Sequence, residues 1–150
     1  MAIWQFQLYV VPSDAPTPLI TDDGAEWAAL PPAKLAAATD FLREKLGKPK
    51  VALEGCEQYG DENGCRVDVV LESTAHAELS ARIDARDDAR AFIAVLCDLA
   101  AAIDCNLYSP ELVAKVEAEP SAVTAAVSRS RAAAFSTNPR SFLSSLPGVG

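Results

Sequence analysis

The side chains able to act as acids, bases, nucleophiles or metal ligands are few and scattered. His76 is the single histidine. It sits in a polar stretch with no nucleophile beside it in a pattern that would make it a general base. Cys56, Cys65, Cys97 and Cys105 lack the Cys-x-x-Cys spacing of zinc knuckles and thioredoxin-like sites. One histidine with unspaced cysteines falls short of the three protein ligands of a catalytic zinc. No glycine-rich phosphate loop occurs, since Gly60 and Gly64 serve a turn. Asp87-Asp88 resembles a metal-binding carboxylate pair, but a helix N-terminus accounts for it more simply, with Asp87 as the cap. The expectation is no catalytic residue, no metal and no cofactor.

Two charged sets stand above this background. One is a strand face, Ser80, Arg82, Asp84 and Arg86, with Arg66 and Asp68 expected on the neighbouring strand. It reads either as a solvated sheet face or as a docking surface of mixed charge. The other is acidic: Glu54, Glu57, Asp61 and Glu62, expected around one hairpin tip. Such a run is either plain solvated surface or a means of steering a basic protein partner. Glu54, Glu57, Asp61, Glu62, Arg82, Asp84 and Arg86 are therefore the candidate partner-binding residues.

The elements that must position them follow from periodicity. Trp4, Phe6, Leu8 and Val10 alternate with Gln5, Gln7 and Tyr9, which predicts a half-buried strand. Prolines 12, 16 and 18 break it into a loop. Asp22 or Asp23 is suited to cap a short helix carrying Trp27 and Leu30. Leu35, Ala38, Leu42 and Leu46 give the next helix, opened by Pro32 and stopped by Gly47 and Pro49. Val51–Tyr59 and Cys65–Leu71 read as a hairpin across residues 60–64, and Leu79, Ala81, Ile83 and Ala85 mark a further strand. The strongest helix carries Phe92, Val95, Leu96, Leu99 and Ile103 at spacings of three and four. Asn106–Tyr108 suggests a short strand, and Leu112, Val113 and Val116 one or two helical turns. Helices are expected again from Pro120 and from Asn138-Pro139. Hairpin-linked strands followed by helices predict one α+β domain over residues 1–150, an antiparallel sheet with helices packed on one face.

Length and charge bound the rest. The chain has 150 residues, 50% of them hydrophobic, and a net charge of −8. This is one globular core, and the acidic balance disfavours a nucleic-acid partner. No run of about 18 apolar residues predicts a membrane span, and residues 1–11 lack the basic start of a signal peptide. A cytoplasmic, reducing setting follows as an expectation, with four free thiols. Cys97 and Cys105 read as core residues, and a Cys56–Cys65 bridge across the hairpin is the alternative to free thiols there. Residues 1–120 hold all 21 acidic and 10 of the 13 basic residues, a net −11. Residues 121–150 carry Arg129, Arg131 and Arg140 and no acid. Phe135, Phe142, Leu143 and Leu146 are too apolar for a solvated arm, so this segment is expected to dock as helix on the acidic body, with its arginines paired there.

Arg82-Ile83-Asp84-Ala85-Arg86, the helix Phe92–Ala100, the strand Asp104–Tyr108 and the tail segments Ser130–Phe135 and Asn138–Leu143 resemble small bacterial immunity-type proteins of toxin–immunity systems. The resemblance covers roughly half the chain. It implies a non-enzymatic cytoplasmic protein that binds and blocks a cognate toxin, and it implies no particular toxin chemistry. The competing reading is a small-molecule-binding or regulatory α+β domain, with Trp4, Trp27 and Tyr59 near an apolar pocket.

Overall fold

The alternation that begins the chain builds the centre of the sheet. In the computed structural model, which describes residues 2–22, 24–26, 28–73 and 76–146, β1 (Gln5–Pro12) lies between β7 (His76–Asp84) and β8 (Cys105–Ser109). The full order is β4 (Lys50–Leu53), β5 (Cys56–Gly60), β6 (Arg66–Ser73), β7, β1, β8, β9 (Ala114–Val116), with every neighbouring pair antiparallel. Phe6 faces Ile83, Leu8 faces Ala81 and Val10 faces Leu79 across the central pair. Opposed residues share a face, so these six form one apolar layer, all buried. Tyr59, Val67, Val69 and Leu107 extend the layer outward. The other face carries Gln5, Gln7 and Tyr9, opposite Asp84, Arg82 and Ser80.

Helices close the apolar side. Pro32 opens α1 (Pro32–Leu46), where its fixed φ and missing N–H cost nothing, and Ala38 and Leu42 are buried. α2 (Arg90–Ala102) is the most deeply packed, burying Ile93, Leu96, Cys97, Leu99 and Ala100. α3 (Pro120–Ser128) adds Val123 and Ala126. α4 (Arg131–Thr137) and α5 (Pro139–Ser145) are short and capped by side chains: Ser130 Oγ accepts from the Ala133 N–H and Asn138 Oδ1 from the Ser141 N–H. Ala132 and Phe142 are buried, and Phe135 meets Phe142 edge to face at 5.9 Å. This is an α+β fold with an antiparallel sheet, as the hairpin-linked pattern predicts.

Several local expectations differ from the structure. The stretch from Val51 to Tyr59 is not one strand; a turn at Glu54-Gly55 divides it into β4 and β5. Gly55 has φ +80, and a Cβ there would stand 2.8 Å from the Leu71 carbonyl oxygen. β2 (Leu19–Thr21) and β3 (Gly24–Glu26) pair as a hairpin in place of a helix start, and Asp23, one of the two expected caps, lies outside the described residues. Leu30 is buried in coil with its N–H donated to the Ala77 carbonyl, and Trp27 lies outside the described residues. Residues 114–116 pair with β8 as a strand, after a turn in which Val113 adopts φ 50. The first turn of α2 is served by Asp88, whose carboxylate accepts from the Arg90 N–H at 3.0 Å, and not by Asp87. The tail docks through Ala132 and Phe142, and the Arg131 N–H reaches Glu111 at 3.1 Å. Among the described residues, the ion pairs do not include the guanidinium groups of Arg129, Arg131 or Arg140.

Gly47 and Gly55 both hold positive φ, but a Cβ at Gly47 meets nothing within 4 Å. Gly47→Ala is therefore expected to cost about 1 kcal/mol for backbone strain alone. Gly55→Ala must also displace the Leu71 carbonyl and is expected to cost about 2–3 kcal/mol. Chemical unfolding of the two variants measures the difference.

Candidate functional site: the polar sheet face

The sheet face away from the helices is built from long polar side chains. Lys50, Gln58, Asp68 and Ser80 form one row across β4, β5, β6 and β7, continued by Tyr9 and Tyr108. Arg66, Arg82 and Gln7 form the row beside it. The period of two places them here: each alternates with a residue of the apolar layer.

At the centre is a desolvated ion network. Arg66 and Asp68 are buried, with Arg66 Nη1 donating to the Glu62 carbonyl at 2.9 Å, and Arg82 keeps 20% side-chain exposure. Arg66 Nε stands 3.1 Å from Asp68 Oδ1, and Arg82 Nη2 3.5 Å from Asp68 Oδ2. The first contact has ion-pair distance without hydrogen-bond alignment. Arg66 Nε and Asp68 Oδ1 are therefore buried with no hydrogen-bond partner, as are Arg82 Nε and Gln58 Oε1. Burial pulls the Arg82 guanidinium down from its ordinary range, and Asp68 partly offsets this. Asp68 is thus shared by two guanidiniums, and Glu78 supplies a further carboxylate on the same face, close enough to act on Tyr9.

The second cluster ties the loop at residues 61–64 to the start of β1. Trp4 Nε1 donates to the Asn63 carbonyl at 2.8 Å, and Gln5 Nε2 to the Gly64 carbonyl at 2.7 Å. The Arg86 guanidinium stacks on the Trp4 ring at 4.1 Å, forks onto Asp84 and donates to Asn63 at 3.1 Å. A planar fork suits this double role in a way a lysine would not. Burial alone would push the Asp84 carboxyl up. The Arg86 guanidinium and the Arg86 N–H outweigh it and hold the group below its usual range.

The structure disperses the acidic set. Asp61 and Glu62 lie in the β5–β6 loop, whereas Glu54 lies in the β4–β5 turn at the opposite end of β5. Glu57 points to the helix side, where it accepts from the Tyr59 hydroxyl at 2.8 Å. Glu62 is paired with Lys50 at 2.8 Å, and Asp61 caps its own loop through the Asn63 N–H at 3.0 Å. Of the seven candidates, Arg82, Asp84 and Arg86 share the polar face, Asp61 and Glu62 border it, and Glu54 and Glu57 stand apart. Gln5, Gln58 and Trp4 complete the site. Trp4 departs from the alternation that predicts it beside Phe6, Leu8 and Val10, because it lies before β1 begins.

Cys56 and Cys65 do not face each other; Cys56 pairs with Val70, and all four cysteines are free. Burial pushes the thiols of Cys97 and Cys105 up to about 11. His76 begins β7. Among the described residues no group of three or more His, Cys, Asp and Glu side chains is placed to hold a metal ion, and no helix is long and apolar enough to cross a membrane. Comparison with protein-family models, with curated proteins and with solved structures finds no match.

Two measurements follow from this geometry. A carboxyl held below its unfolded pKa contributes stability that is present above about pH 4 and lost as pH falls through the folded value. Asp84→Asn is expected to lower stability at pH 7 and to flatten its decline below about pH 4. Denaturant titrations from neutral to acid pH check this. A thiol assay of denatured, unreduced protein should count the four free cysteines. In the native state Cys97 and Cys105 should react far more slowly than in the denatured state, because both are buried and protonated.

Proposed function

We propose that the protein is a non-enzymatic binding protein of the immunity type, which neutralises a cognate bacterial toxin by docking its polar sheet face on it. The observation that carries this reading is the set of desolvated, incompletely paired groups on that face: Arg66, Asp68, Arg82 and Gln58. Leaving buried polar atoms unpaired costs about 1–3 kcal/mol each, and a partner that offers an acceptor to the partly exposed Arg82 and a donor to Gln58 as these side chains shift on docking recovers part of it. Arginine and tyrosine beside each other, as Arg82 and Tyr9 are, form the composition that dominates binding energy at protein interfaces.

Long-range charge adds a second contribution. The face itself is nearly compensated, through Arg82 with Asp68, Arg86 with Asp84 and Lys50 with Glu62. The net charge of −8 therefore acts over the whole body and draws in a basic protein from a distance. Toxins that cut nucleic acid suit such steering, since a polyanionic substrate favours a basic enzyme.

A small-molecule-binding role has less support. Tyr59, offered as a pocket residue, is fully buried in the helix–sheet core with its hydroxyl bound to Glu57. The recess between residues 11–18 and β8 holds about 70 Å³ and a wider one beside Val116, Ala122 and Arg129 about 440 Å³, and neither is lined by Trp4 or Tyr59.

The test is binding kinetics with the product of the adjacent gene, measured by surface plasmon resonance. Arg82→Glu is expected to speed dissociation by about thirtyfold, equivalent to about 2 kcal/mol. Asp61→Lys with Glu62→Lys, at the border of the face, should slow association and reduce its salt dependence. Wild-type kinetics in both variants, or no binding at all, overturns the assignment.

A further inference from the structure

The edge strand β4 departs from the alternation of the sheet at one point. Val51 opposes Glu57, on the helix side. Regular pairing from there would set Ala52 opposite Cys56 and return Leu53 to the helix side. The register shifts instead, and Leu53 opposes Cys56. Cys56 opposes Val70 and Val70 opposes Glu78, all on the polar side. Ala52 is thus the extra residue of a β-bulge, and the bulge carries Leu53 from one face of the sheet to the other. Leu53 is 74% exposed, the highest value for a large hydrophobic side chain among the described residues. With the half-buried Cys56 and Val70 it gives the face of Arg82, Asp68 and Gln58 an apolar flank.

A bulge also blunts an open sheet edge against stray pairing. β4 pairs with β5 alone, so that purpose applies here. It is served best by a charged side chain, and it gives no reason for a leucine turned onto the polar face.

We propose that Leu53 is the apolar anchor of the docking face, a reading that rests on the function proposed above. The partner it fits is a basic protein whose surface offers an apolar hollow to Leu53 and an acceptor to Arg82. The net charge of −8 selects the sign of that partner. The spacing suits a single contact. Gln58 is the diagonal neighbour of Leu53, about 7–8 Å away. Arg82 lies three strands across and four residues along from it, about 20 Å at the usual strand spacing and rise. A standard interface covers about 800 Å² on each side, roughly 30 Å across, so one partner reaches both. An apolar contact at this flank also keeps water from the hydrogen bonds made at Gln58 and Arg82.

Val51 supplies the control, because it is 66% exposed on the same strand but faces the helix side. Surface plasmon resonance with the product of the adjacent gene makes the comparison. Leu53→Ser is expected to speed dissociation at least about tenfold. Leu53→Met keeps an apolar side chain of similar size and should retain most of the binding. Val51→Ser should stay within about twofold of the wild-type chain. Circular dichroism checks that each variant is folded, as their exposed positions predict. If Arg82→Glu weakens binding and Leu53→Ser does not, the anchor is overturned while the function proposed for the face stands. Equal losses from Val51→Ser and Leu53→Ser also overturn it, since the open edge of β4 and not the face is then the contact. So does a loss from Leu53→Met as large as that from Leu53→Ser. If the wild-type chain does not bind, or Arg82→Glu leaves binding unmoved, the reading of the face fails and the anchor with it.

Discussion

The register of β1 against β7 is the constraint on which the remaining structure depends. With Phe6 opposite Ile83, Leu8 opposite Ala81 and Val10 opposite Leu79, these six apolar residues of the central pair face the helices. A slip of one residue would turn Gln5, Gln7 and Tyr9 into the core and Leu8 into solvent. Core burial alone enforces this, at about 1.5–3 kcal/mol for each large side chain. The clamp of Trp4, Gln5 and Arg86 on residues 63 and 64 adds a second enforcement, because those bonds close only in the observed register. The polar face is the other product of the same alternation: packing one side of the strands commits the other to polar residues.

The long elements were legible because each repeats one period over several turns or pleats. β1, β6, β7, α1, α2 and α3 fall where apolar spacing puts them. The misread elements are short. β9 has three residues and β2 with β3 six, too few for a period to declare itself. Pairing with β8, which the local sequence does not encode, makes residues 114–116 a strand. Gly55 was a visible signal inside an otherwise strand-like run. A lone glycine there marks a turn or bulge, and here the near approach of the Leu71 carbonyl admits no side chain.

The candidate face was legible in outline and not in charge. Arg82, Asp84 and Arg86 share one face because their spacing is even, and that much follows from sequence. Charge compensation is tertiary: Lys50 meets Glu62 only once β4 and β5 fold back on each other. The scattered positions of Glu54 and Glu57 have the same origin, since the turn at Gly55 reverses the chain between them and strand alternation turns Glu57 to the helix side. Trp4 and Gln5 reach residues fifty-nine positions away, a separation at which local pattern is silent.

The strand order carries a consequence for synthesis. β1 is an interior strand made before both of its neighbours, which end at Asp84 and Ser109. At about 5–20 residues per second, a ribosome needs roughly 4–15 s after completing β1 to finish β7, and longer to finish β8. Throughout that interval the nascent chain carries a strongly apolar strand with both hydrogen-bonding edges open. The finished sheet pairs both edges of this strand and buries Phe6, Leu8 and Val10, so a period of high aggregation hazard falls on the ribosome, where assistance from a holding chaperone is of most use.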